Sequence, residues 1–252
     1  MTERTSKKSP QLYARVCGAL YLYIIVAGMF AEAVRDKLVV SADAEATASN
    51  ITAHNFLFRL GHAGELIHLS CDVAVAVILY ALLRPVSRNL ALLAAFLRLA
   101  CDIILGITDL TSFAALRLLG HDDYLKTFQP DQLHSFALLA MRLHGDGYRI
   151  SLVFFGFACL VLGYLLFRAR YFPKFLGVLM VAAGLCYLTN SFATLLDAAF
   201  AASLFPAIFV PAFVAELSLA LWLLVKGVDS ARREECARRR AVEGAAAGVI
   251  VG

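Results

Sequence analysis

The sequence predicts an all-α integral membrane bundle of six transmembrane helices, with a partly exposed helical segment before the fourth span. Three observations carry this. The 252 residues are 61% hydrophobic and only 17% charged, with a mean hydropathy of +0.75, whereas soluble domains run roughly 45–50% apolar and about 25% charged. The apolar residues fall into six blocks, each of a length suited, at about 1.5 Å per residue, to a hydrocarbon core about 30 Å thick. Lysine and arginine collect at alternate connections between these blocks.

Residues 1–12 form a basic N-terminus with Arg4, Lys7 and Lys8, and the first span follows from Tyr13 to Ala31. Ala31-Glu32-Ala33 resembles a signal-peptidase site. The apolar run exceeds an ordinary signal segment and more hydrophobic helices follow, so it reads as an uncleaved first helix. Residues 32–55 make a mixed-charge loop in which Ala44–Ile51 forms a short surface helix. The second span, Phe56–Leu83, stops at Arg84-Pro85, because proline disfavours helix in the residue before it. The third, Asn89–Leu119, is longer than a crossing needs, so its end projects.

A polar stretch from Gly120 to Gln129 leads to Pro130-Asp131, a helix start. Residues 132–147 are half apolar and hold His134, Arg142, His144 and Asp146; they are the partly exposed segment, and Gly145-Asp-Gly147 within it reads as a hinge or cap. The fourth span is Tyr148–Phe167 and the fifth Phe172–Phe200, with Pro173 in its first turn. The sixth is Pro206–Val225. The transmembrane domain thus occupies 13–226, and the basic tail 227–252 is expected to be cytoplasmic and disordered.

Residues 1–15, the 84–88 turn, the 168–174 turn and residues 226–252 carry four, two, three and six of the twenty-three lysines and arginines, while the Asp197–Phe205 loop has none. That asymmetry predicts an even number of crossings with both termini in the cytoplasm. A net charge of +4 located this way points to a lipid bilayer as the partner and not to nucleic acid. Five of the six cysteines (Cys17, Cys71, Cys101, Cys159 and Cys186) sit one per apolar segment, which fits small packing residues better than a disulfide framework. No internal repeat supports an inverted-repeat transporter. No Walker loop, dinucleotide fingerprint or nucleophile elbow is present, so no catalytic residue is named.

The informative residues are ionisable groups inside the spans. Each costs about 2.5–3.5 kcal/mol at mid-bilayer and persists where a partner or a function holds it. In the second span His62, Glu65, His68 and Asp72 follow at spacings of three, three and four, and in the third Arg98, Asp102 and Asp109 fall close to one line. Such stripes point into the bundle, because lipid cannot solvate them. A short turn makes these helices antiparallel, so residues whose numbers sum to about 172 share a depth. Asp72 then lies level with Arg98–Cys101, and Asp109 level with His62. The fifth span offers Tyr187, Asn190, Thr194 and Asp197 on one face, and the sixth adds Glu216.

At mid-depth Asp72, Asp102 and Glu216 face one permanent cation, Arg98. The surplus acids must be protonated, hydrated or cation-bound, which is what a coupled carrier uses. The alternative is structural: Arg98 and one acid staple two helices while the others reach headgroups. No cofactor is called for by any motif, and zinc is the one that His62, Glu65, His68 and His144 would take, beside Asp109. Against this, the two histidines of the second span are six apart and do not form the His-Glu-x-x-His pattern.

Ordered stretches along the chain carry a resemblance. They include Ala53-His-Asn-Phe-Leu-Phe-Arg59, Leu79-Tyr-Ala-Leu-Leu-Arg-Pro-Val86, Asn89-Leu-Ala-Leu-Leu-Ala-Ala-Phe-Leu-Arg98, Gly147-Tyr-Arg-Ile-Ser-Leu-Val-Phe-Phe-Gly156, Gly163-Tyr-Leu-Leu-Phe-Arg168, Pro173-Lys-Phe-Leu-Gly177 and Ala183-Gly-Leu-Cys-Tyr187. Over residues 12–225 the chain resembles the bacterial membrane family catalogued as domain of unknown function 4386. The resemblance implies a multi-helix inner-membrane protein, with Arg59, Asp72 and Arg98 at family positions and Glu65 at an acidic one. His62 and His68 stand outside that pattern, which weighs against the metal reading.

The expected function is binding or translocation of a small solute, lipid or coupling ion, without ATP, through a buried ionisable core facing the periplasm. That core comprises Arg59, Glu65, Asp72, Arg98, Asp102, Asp109, Tyr187, Asn190 and Glu216. A metal-dependent intramembrane hydrolase and a structural or accessory subunit are the alternatives.

Overall fold

In the computed structural model, which describes residues 10–120 and 122–250, the described chain is helical throughout its regular structure. The helices are α1 (Pro10–Leu38), α2 (Ala44–Ala53), α3 (Asn55–Leu83), α4 (Arg88–Leu118), α5 (Pro130–Arg168), α6 (Lys174–Leu196), α7 (Ala198–Leu204), α8 (Phe209–Val225) and α9 (Ser230–Ile250), with a 3₁₀ turn at Asp123–Thr127. Five helices (α1, α3, α4, α5 and α6) are long and apolar enough to span a membrane, and α8 together with α9, bent at 102°, makes up a sixth candidate. At 17 residues α8 alone rises about 25 Å, slightly short of the hydrocarbon thickness. This is a multi-pass helical membrane protein.

The five long apolar helices and the shorter α8 close into a ring. In order of contact α1 packs on α3, α3 on α4, α4 on α5, α5 on α6, α6 on α8, and α8 returns to α1. Glycines set the α1–α8 and α5–α6 approaches, among others. A Cβ on Gly18 would lie 2.4 Å from the backbone nitrogen of Leu224, so only a hydrogen lets α1 meet α8 there. Gly156 and Gly163 of α5 face Gly184 and Gly177 of α6 in the same antiparallel register. The outside of the ring stays apolar, as at Val77 and Ile107, which are 61% and 62% exposed. A surface of that kind suits lipid, not water.

Several boundaries differ from those the sequence suggests. Helix α1 continues through residues 32–38, so Glu32 and Arg35 are in the bundle and not in a loop. Residues 132–147 are part of one continuous α5, started by Gln129 and Gln132 capping each other around Pro130. Gly147 is no hinge: a Cβ there would lie 2.3 Å from Thr108 Oγ1, so the glycine admits α4 against an unbroken helix. The fifth span ends at Leu196 because Asp197 turns outward to cap α7, accepting from the N–H groups of Ala199 and Phe200.

The tail, expected to be disordered, is helix α9. Arg233 donates to the carbonyls of Ala81 and Leu82, and Arg240 to those of Arg84 and Pro85. These are carbonyls at the end of α3 that have no partner further along their own helix, and local sequence carries no sign of that docking. Tyr171 also donates to Leu82, and Gln11 bridges the backbone of Lys226 and Val228. The start of α1, the α3–α4 turn, the α5–α6 turn and the tail therefore share one end of the bundle. Residues 1–9, with Arg4, Lys7 and Lys8, lie outside the described residues.

Candidate functional site

Two apolar clusters pack the ends of the ring. The larger includes Tyr21, Val75, Leu82, Ala91, Cys159, Met180 and Leu219; the smaller includes Val34, Phe58, Leu116 and Met141. The ionisable side chains lie between them along the inward stripes of α1, α3, α4 and α5. The register explains this: on α3 the sequence from Phe58 to Val75 brackets His62, Glu65 and Asp72, and on α4 Ala91 and Ala115 bracket Arg98, Asp102 and Asp109.

At the centre is the pair that the antiparallel register predicts. Arg98 Nε donates at 2.8 Å to both oxygens of Asp72, and Nη2 closes on Oδ1. The guanidinium lies 4.7 Å from the ring centroid of Tyr21 and 5.0 Å from that of Phe155. Aromatic faces replace part of its lost hydration. Phe155 stacks edge-on to Tyr187 at 5.3 Å, and the Tyr187 hydroxyl donates to Glu216. All six ring helices thus contribute one link. Asn190 is buried a turn beyond Tyr187, and Asp102 is buried a turn beyond Arg98 with its Oδ2 lacking a hydrogen bond. A void of about 20 Å³ adjoins Arg98, room for about one water, so this centre is close-packed.

The second group lies nearer the smaller apolar cluster. Arg35 donates to Glu32 at 2.7 Å and to Glu65 Oε1 at 2.8 Å. Glu65 Oε2 lies 3.6 Å from His62 Nδ1, and Asp109 Oδ1 lies 3.7 Å from His144 Nδ1, which also faces the Thr108 carbonyl at 3.4 Å. His62, Glu65 and Asp109 bring one potential ligand atom each within 4.8 Å of one another. All three residues are at most 4% exposed, and His62 Nδ1, Glu65 Oε2 and both Asp109 oxygens have no hydrogen-bond partner of normal geometry. His62 is held between Phe58 and Phe113, at 4.8 and 5.1 Å. Phe113 in turn lines a cleft of about 260 Å³ with Arg59, Leu116, Arg117, Gly120 and Asp122.

Arg59, expected in the core, and His68, expected beside His62 as a metal ligand, stand elsewhere. Arg59 is exposed, bonded to Asn55 Oδ1 at 2.6 Å, because one turn from the start of α3 its long side chain reaches out into the cleft. His68 is not with His62: six residues round the helix it faces α1, its Cε1 3.5 Å from where a Cβ on Gly28 would sit. His144, by contrast, does join the cluster. The residues that sequence reasoning misses are Tyr21 and Arg35. Their signal is the buried stripe Ala14, Cys17, Tyr21, Ile24, Ala31 and Leu38, whose helical spacing also takes in Arg35 once α1 is extended.

The family described as domain of unknown function (DUF4386) matches residues 16–227. The chain belongs to that family. A relative in Archaeoglobus fulgidus, described as an uncharacterized protein, is 29% identical over 161 residues, which is 62% of this chain and 76% of that one. No solved structure matches significantly.

Proposed function

We propose that this DUF4386 protein binds a small solute, lipid or coupling ion in its ionisable layer, and that of the three the ion is what the layer's chemistry favours. The Arg98–Asp72 pair acts as the lock that holds α3 to α4. The layer around it supplies acids for protons or cations to occupy.

One observation supports this above the rest. Glu65, Asp72, Asp102, Asp109 and Glu216 are all buried, and the cations within reach are Arg98 and Arg35. Buried carboxylates without a cation are costly unless something neutralises them. Unpartnered oxygens at Asp102, Asp109 and Glu65 are where a bound ion would sit. With the basic end read as cytoplasmic by the positive-inside rule, the cleft beside Phe113 faces the periplasm of a bacterial cytoplasmic membrane.

Purified protein in weakly buffered detergent should exchange protons when Na⁺, K⁺ or Mg²⁺ is added. Asp102→Asn, which mimics the protonated acid, should abolish that exchange and leave the thermal melt in place. No exchange with any of the three cations, or exchange that survives the substitution, would return the layer to the structural role of an accessory subunit.

A further inference from the structure

We infer that His62, Glu65 and Asp109 form a binding site for a divalent transition-metal ion of the zinc class, with His144 positioning Asp109. This deepens the ion-binding reading by naming the ligand class at one part of the layer, and rests on it only in that sense.

The chemistry of the donor set comes first. An imidazole among carboxylates selects transition metals, whereas Ca²⁺ and Mg²⁺ favour all-oxygen shells with more ligands or retained waters. Spacing agrees. Bonds of about 2.1 Å put neighbouring ligands of a tetrahedral site about 3.4 Å apart; His62 Nδ1 and Glu65 Oε2 are 3.6 Å apart, and one atom each of His62, Glu65 and Asp109 lies within 4.8 Å of the others. This is the one group of three or more potential metal ligands that converges in this way among the described residues.

His62 Nδ1, Glu65 Oε2 and both oxygens of Asp109 are buried without a hydrogen bond. Their outer partners are in place. Arg35 occupies the other oxygen of Glu65 and so fixes the turn of that carboxylate. His144 lies against Asp109 from α5. Supporting groups of this sort orient ligands and typically account for about 10–100-fold in metal affinity. Charge agrees as well, since Glu32, Glu65 and Asp109 together with Arg35 leave two negative charges for a divalent ion to offset.

A route also exists. Phe113 is 37% exposed, lines the cleft on one side and touches His62 on the other, so one ring separates the site from the surface. Ser112, buried with an unpartnered hydroxyl one turn from Asp109, is a further polar group on the same stripe.

Full-length protein purified in detergent and stripped with chelator should take up one Zn²⁺ or Co²⁺ per chain. His62→Gln and Asp109→Asn should each weaken Co²⁺ binding by more than about tenfold, the smaller end of what loss of a mere supporting group brings. Should either variant unfold, zinc-edge X-ray absorption of the wild-type protein decides: one imidazole among oxygen ligands is expected. No stoichiometric uptake, uptake unchanged in well-folded variants, or a shell without imidazole overturns the assignment. If metal uptake fails while Asp102→Asn still abolishes proton exchange with Na⁺, K⁺ or Mg²⁺, this site is wrong and the ion-binding reading stands.

Discussion

Asp72 and Arg98 are 26 positions apart in the chain and in bidentate contact in the fold, because the turn at residues 84–87 lays α4 back along α3. Each is at most 3% exposed, and the guanidinium is enclosed by Tyr21 and Phe155. Pairing lets either charge stay inside an apolar ring, and removing one member leaves the other stranded. Arg98→Ala should therefore cost about 3–5 kcal/mol. The double change Asp72→Ala with Arg98→Ala should be milder than the sum of the singles. Additive losses in detergent melting would mean that the two side chains do not share their energy.

Tyr187→Phe should destabilise the protein by about 1–3 kcal/mol, since it removes the donor to a buried Glu216 and keeps the ring that packs on Phe155. Glu216→Gln in the Tyr187→Phe background should recover part of that loss, because a neutral amide leaves less charge unpaired. Equal melting of Tyr187→Phe and wild type would show the hydroxyl to be idle.

Gly163→Ala and Gly177→Ala should each destabilise by about 1–3 kcal/mol through overpacking. A Cβ on Gly163 would be 2.7 Å from the Gly177 carbonyl oxygen, and one on Gly177 would be 2.6 Å from the Phe167 nitrogen, so backbone would have to move. Gly64 has nothing within 4 Å of its Cβ position. Gly64→Ala should thus be neutral or stabilising by roughly 0.5–1 kcal/mol, as for any helix interior freed of glycine. Identical melting shifts at all three positions would contradict the α5–α6 contact.

Reporter fusions after Ser87 and Arg170 should report cytoplasm, and fusions near Asp123 and Ala202 should report periplasm. Hydrogen bonds already bring the first pair of connections and the tail to one end of the bundle. Opposite readings for Ser87 and Arg170 would break that arrangement, and a periplasmic tail would reverse the orientation.

Much of the fold was legible because its causes are local. Apolar runs long enough to cross, the proline after Arg84, the capping pair around Pro130 and the Asp43 cap of α2, which accepts from Ala46 at 2.9 Å, all act within a few residues. The sixth crossing is marginal for the same reason, as α8 is short and its continuation bends away. The Asp72–Arg98 contact was legible too, since a short turn fixes antiparallel depth by counting. His62 and Asp109 met at a shared level on the same reckoning.

What the sequence by itself determined, then, is the bundle, the ends of its spans to within about two turns except at the start of α5, and the depth at which two neighbouring helices exchange charges. Tertiary structure alone decided which stripes from distant helices share the interior. Arg35 is polar at the end of an apolar run and looked like a loop residue until α1 packed on α3 and gave it Glu65. His68 and Arg59 sit near His62 in sequence but turn to other surroundings, while His144 arrives from α5, 82 residues after His62. The tail is ordered by α3 carbonyls that a linear reading cannot pair with it. Helical periodicity gives direction only relative to a residue's own helix; which neighbour lies in that direction is settled when the ring closes.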